Sequence, residues 1–121
     1  TDGGGIPRNV IVEMGLALVN LQALTLAEFV TKTSTNPARI LGLTRTGRLA
    51  VGMDADITVL DVPRRRAVLS LAGGAVIMVR GHVCGRGGRM ITTEAGAAAV
   101  RAAGLEPITV SLAESGFYQG I

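Results

Sequence analysis

Residues 35–61 read T-N-P-A-R-I-L-G-L-T-R-T-G-R-L-A-V-G-M-D-A-D-I-T-V-L-D, and within them the chain passes from helical to extended character. Asn36 is a good helix N-cap, and the fixed φ and missing donor of Pro37 suit the first helical position. Gly42 suits the left-handed residue that closes a helix. These signals predict a short helix over residues 37–41. Beyond it the pattern turns to strand: residues 48–50 read as a short strand, residues 52–54 as a tight turn, and residues 57–60 as a β-branched strand ending at Asp61.

Upstream, Thr25 and Glu28 stand at the spacing of a capping box, in which hydroxyl and carboxylate each satisfy an orphan backbone group. A helix is predicted from Leu26 to about Thr33. Before it, Val10, Ile11, Met14, Leu18 and Leu21 recur at helical spacing, and Val12, Leu16 and Val19 widen the stripe. The helix over residues 8–21 is thus expected to be buried on more than one side. Residues 1–7 read as a glycine-rich loop. Downstream, residues 75–80 and 83–84 flank Gly81-His82 as a hairpin with that dipeptide at its turn. Gly85, Gly87 and Gly88 read as a flexible link. Thr93 is placed to cap an Ala-rich helix that ends at Gly104, and residues 105–121 read as a tail packed on a larger body.

Composition agrees with a piece of something larger. Of the 121 residues 48 % are hydrophobic and 17 % charged, Trp is absent, and Phe and Tyr total three, so Val, Leu, Ile and Ala must build the core. An isolated domain of this size usually carries more polar covering. The formal charge of +3 comes from eleven Arg and one Lys against nine acidic residues. Arg64, Arg65 and Arg66 are read as a solvated turn after a strand. Without interleaved aromatics or a recognition helix, nucleic acid is not expected as a partner. A single cysteine, Cys84, permits no disulfide within the chain and points to a reducing, cytoplasmic compartment. The longest apolar stretch, residues 10–24, is too short to span a bilayer, so no membrane partner is expected. Thr1 as first residue fits a fragment, a processed chain or a truncated gene model better than a complete product.

The order of these signals resembles the C-terminal part of the metal-dependent amidohydrolase superfamily. It comprises T-D at residues 1–2, an apolar helix, T-x-x-E, N-P-A-R-x-L-G-L and G-x-x-x-G-x-D-A-D-I. The T-D-G-G-G-I-P opening and A-G-G-A-V-I-M-V-R-G are most similar to the enamidase and imidazolonepropionase-like branches, with dihydroorotase-like and deacetylase branches close behind. The resemblance implies an α/β fragment: residues 1–45 as the last β/α unit of a (β/α)8 TIM barrel, residues 46–90 as C-terminal strands of a small composite β-sandwich, and residues 91–121 as a helical C-terminal extension. A complete barrel takes about 250 residues, so most of the catalyst would lie outside this chain.

The implied reaction is hydrolysis of a C–N bond, in a cyclic amide or N-acyl small molecule, by metal-activated water. The resemblance places Asp2 at the end of barrel strand eight, as the carboxylate that contacts the metal and takes a proton from the attacking water. A carboxylate suits that role because it can accept the proton and return it to the leaving nitrogen. Gly3, Gly4 and Gly5 are candidates for bringing backbone donors to the substrate. The cofactor implied for the full-length enzyme is a divalent metal, zinc by analogy. The remaining ligands, an H-x-H pair, a lysine or glutamate and two more histidines, have no counterpart here, so no metal is expected on this piece alone.

His82 and Lys32 do not match family ligands and read as surface residues. Asp54 and Asp56 read as a structural turn, the first outward and the second bonding backbone. The spacing Gly42-x-x-x-x-Gly47-Arg48 fails as a P-loop because Lys-Ser/Thr is missing. Expected partners are the rest of the barrel, a small-molecule substrate and further copies in a homo-oligomer. Two rival readings are a non-catalytic fragment or subunit packed on a barrel partner, and an N-terminal nucleophile at Thr1. Asp2 and three glycines following Thr1 count against the second.

Overall fold

The computed structural model describes residues 10–86 and 89–116, an α/β chain of helices followed by two sheets. Helix α1 spans Ile11–Asn20 and closes with Gln22 in the left-handed region at φ 59°, where the Gln22 and Ala23 amides donate back to the Val19 and Leu18 carbonyls. Only Leu16 of this helix is fully buried, and Ile11 and Met14 are each 58 % exposed. The expected burial on several sides is therefore not met among the described residues. Glycine adopts the left-handed conformation without strain, so Gln22→Gly is expected to stabilise the chain by roughly 0.5–1 kcal/mol. Thermal melts of the two variants side by side check this.

Helix α2 spans Leu26–Val30 and opens with the predicted capping box: Thr25 Oγ1 accepts from the Glu28 amide, and the Glu28 carboxylate accepts from the Thr25 amide at 2.8 Å. It does not stop near Thr33. The backbone continues through a π-turn, Thr31–Thr35, directly into α3, Asn36–Ile40. Asn36 is accordingly not an N-cap, since it has helical angles and its amide bonds the Thr31 carbonyl. Pro37 supplies the reason. Inside a helix it lacks the amide that would bond residue 33 and its ring crowds that carbonyl, a conflict that the wider turn relieves. Gly42 closes α3 as predicted at φ 70°, with the Leu43 amide bonding the Ala38 carbonyl at 2.8 Å.

Residues 48–50 do not form the expected strand and run as an irregular loop, with Leu49 76 % exposed. The turn that follows bonds the Met53 amide to the Ala50 carbonyl around Gly52 at φ 85°. Strand β1, Ile57–Asp61, stands where predicted and pairs antiparallel with β2, Arg66–Ala72. Then come β3, Ala75–Val79, and β4, His82–Val83, giving a four-stranded sheet in chain order. The last hairpin differs by one residue from expectation. Its turn is Arg80-Gly81, both at positive φ as a type I′ turn requires, and His82 lies on β4 opposite Val79.

The C-terminal part adds two strands that the sequence reading lacks. Strand β5, Met90–Thr92, pairs parallel with β6, Pro107–Thr109, across helix α4, Glu94–Ala102. Thr93 occupies the N-cap position but its hydroxyl makes no capping bond, and Gly104 ends the helix at φ 74°. Ala97 and Val100 of α4 and Val110 after β6 are buried, as are Leu16, Phe29 and Ala38 of the helical part. The Gly116 amide donates to the Ile40 carbonyl at 2.7 Å, so the tail returns to the end of α3.

Candidate functional site

Asp2, Gly3, Gly4 and Gly5 lie outside the described residues. What the structure does show is the segment that follows them and a charged cluster in the signature itself. That cluster gathers four elements. The Asp54 carboxylate receives Arg45 through Nε at 2.9 Å and Nη2 at 2.8 Å, and Arg89 Nη2 at 2.7 Å. Arg89 Nη2 also reaches Asp56 at 2.8 Å, and the other oxygen of Asp56 accepts the Gly73 amide at 2.7 Å. The Asp54 amide bonds the Arg45 carbonyl at 2.8 Å. The loop after α3, the turn before β1, the β2–β3 hairpin and the chain entering β5 are thereby held in one place.

Asp56 bonds backbone as expected, but Asp54 does not point outward: its side chain is only 14 % exposed, between two guanidiniums. Hydrogen bonds from Arg89 and then Arg45 hold the Asp54 carboxyl below its ordinary range, while Asp54 and then Asp56 raise Arg89. A carboxylate so neutralised is a weak base, so the cluster acts as a clamp and not as general acid–base machinery. Sequence reasoning misses Arg45 and Arg89. Arg45 carries a faint signal, being nine residues from Asp54 in the same loop, whereas Arg89 is 33 residues from Asp56 and carries none.

The same depressed carboxylates set the response to acid. Asp61 is lowered by the Arg64 amide and guanidinium, and Glu28 by the backbone and hydroxyl of Thr25. For groups whose folded pKa lies below the unfolded value, the stabilisation is complete above the unfolded value of about 4 and is lost as pH falls through the folded values. The melting temperature is therefore expected to be flat between about pH 7 and 5 and to fall below about pH 4. Asp54→Asn should lower the plateau and make the acid limb shallower in a melt series over that range.

His82 and Lys32 are exposed. Among the described residues no three His, Cys, Asp or Glu side chains gather as a metal site would need, and the described part of the chain therefore offers no donor set for a catalytic ion. No helix among them is long and apolar enough to cross a membrane. An open groove of about 590 Å³ runs between the helices and β1, lined by Ile11, Phe29, Pro37, Leu49, Ile57 and Leu60 among others.

A sequence profile described as amidohydrolase family matches residues 1–99. Among curated proteins, the dihydroorotase of Lactiplantibacillus plantarum is 36 % identical over 66 residues, which are 54 % of this chain and 14 % of that enzyme. The dihydroorotase of Methanothermobacter thermautotrophicus is 42 % identical over 59 residues, 48 % of this chain and 14 % of that protein. That of Syntrophus aciditrophicus is 52 % identical over 48 residues, 40 % and 11 % of the respective lengths. The chain thus spans about one seventh or less of the curated relatives it matches. These relatives come from the dihydroorotase-like branch, which the sequence resemblance alone places behind the enamidases. With the profile running through the helices, the clamp and the four-stranded sheet into α4, the chain belongs to the amidohydrolase family.

Proposed function

We propose that this chain is the C-terminal portion of a cytoplasmic cyclic-amide hydrolase of dihydroorotase type. The observation that carries the proposal is the family match over residues 1–99 together with dihydroorotase relatives up to 52 % identical. In this reading residues 1–45 end a (β/α)8 barrel, residues 46–90 supply sandwich strands, and residues 91–121 extend the chain beyond them. The antiparallel sheet β1–β4 suits one layer of a sandwich, and the apolar groove beside α1 suits a face on which more of the barrel packs.

The relatives' name, dihydroorotase, points to dihydroorotate as the substrate class, a ring in which hydrolysis breaks one C–N bond of a cyclic amide. Asp2 takes a proton from the attacking water and passes it to the leaving ring nitrogen, and Gly3, Gly4 and Gly5 are the candidate backbone donors to the substrate. Among the described residues no three donor side chains gather as a catalytic ion would need. A divalent metal, zinc by resemblance, belongs with ligands elsewhere in the complete enzyme, and Asp2 would join them. The complete protein that carries this chain is expected to open the ring of dihydroorotate, read by mass spectrometry as the gain of one water. Failure to open dihydroorotate, dihydrouracil and hydantoin under conditions where a known dihydroorotase is active would remove the proposal.

A further inference from the structure

The meander β1–β4 turns three times, and its first and third turns lie at the same end. Between β1 and β2 stand Arg64 and Arg65, with Arg66 opening β2, and between β3 and β4 stands Arg80. The Arg80 amide donates to the Val68 carbonyl at 2.7 Å, which fixes this tip beside the start of β2. Four arginines therefore share one rim, all exposed. The carboxylate among them is Asp61, which bonds Arg64 at 3.1 Å and lies 3.9 Å from Arg66. Arg65 and Arg80 have no carboxylate partner among the described residues. The surplus at this rim equals the formal +3 of the whole chain, so the remaining charges balance.

Two details set the rim apart from an ordinary solvated turn. Arg65 and Arg80 both take the left-handed conformation, at φ 52° and 48°, where glycine or asparagine would sit with less strain. The two tips thus present guanidiniums at the positions least suited to a long side chain. Among the described residues the rim also has no stacking surface, since Phe29 is the sole Phe, Tyr or Trp there and it is buried in the helical part. Single-stranded nucleic acid needs such platforms beside its charges. Guanidinium forks bind carboxylates, as they do phosphates, in bidentate fashion without needing such platforms.

We propose that this arginine rim is a docking surface for a carboxylate-rich polypeptide segment of a partner protein. The test uses the complete protein that carries this chain and a fluorescein-labelled octaglutamate peptide, with octaglutamine and a single-stranded DNA octamer as comparisons. The double variant Arg65→Gly/Arg80→Gly removes two charges at positions that glycine fits, so its melting temperature should hold or rise. Octaglutamate is expected to bind in low salt, to outcompete octaglutamine, and to lose at least about tenfold in affinity in the double variant. The proposal is overturned if octaglutamate does not bind the parent protein, if the double variant binds it unchanged, or if the DNA octamer binds more tightly than the peptide.

Discussion

Replacing Asp2 by asparagine in the complete enzyme is expected to lower turnover at least about 10²-fold while leaving the fold in place, the usual worth of a positioned base. Asparagine keeps the size and one oxygen of the side chain but cannot take up a proton at neutral pH. Binding of the ring should change less than its opening, so the loss is expected in kcat more than in KM. Circular dichroism and metal content measured on the same preparation separate a lost base from a lost fold or a lost ion. Near-normal turnover with both intact would take Asp2 out of the mechanism.

Gly47→Ala is expected to be the most damaging single methyl group in the signature loop, at roughly 2–4 kcal/mol, because a strained conformation and overpacking add there. Gly47 has φ 88°, and a Cβ on it would stand 2.5 Å from the Cβ of buried Ala38 and 3.0 Å from the Ser34 carbonyl oxygen. Its own carbonyl accepts the Thr35 hydroxyl at 3.0 Å, so the loop has little freedom to retreat from the helix. Gly42 and Gly52 provide the control, since both have positive φ but nothing within 4 Å of where a Cβ would stand. Alanine at either should cost only about 1 kcal/mol. Equal shifts in denaturant midpoint for all three variants would show that packing against Ala38 plays no part.

Features decided by near neighbours are legible in the sequence. The capping box at Thr25 and Glu28, the glycine that closes α3 and the strand at Ile57 all depend on residues within a few positions of each other. Where two local rules compete, the reading goes astray: Asn36-Pro37 looks like a helix start, yet the preceding helix carries on by widening one turn. Strand β2 escapes notice because R-A-V-L-S-L-A has apolar residues in adjacent positions and no clean alternation. Strands β5 and β6 are three residues each and exist only by pairing across a helix. The clamp is illegible for a related reason, as nothing near Arg89 in the sequence announces a partner 33 residues earlier. For the site itself, the position of Asp2 rests on the resemblance and lies outside the described residues.

The sheet β1–β4 has a spatial order identical to its order along the chain, and its strands are joined by turns of four, two and two residues. Each ladder can therefore close as soon as its two strands exist, at the microsecond pace of hairpins and with little loop entropy to overcome. The parallel pair β5–β6 must instead wait for α4 to form and cross over, and Arg89 must find Asp54 and Asp56 across the whole meander. During synthesis the antiparallel ribbon is then the first part of this region able to acquire native hydrogen bonds, and the clamp is the step that afterwards fixes the later strands to it.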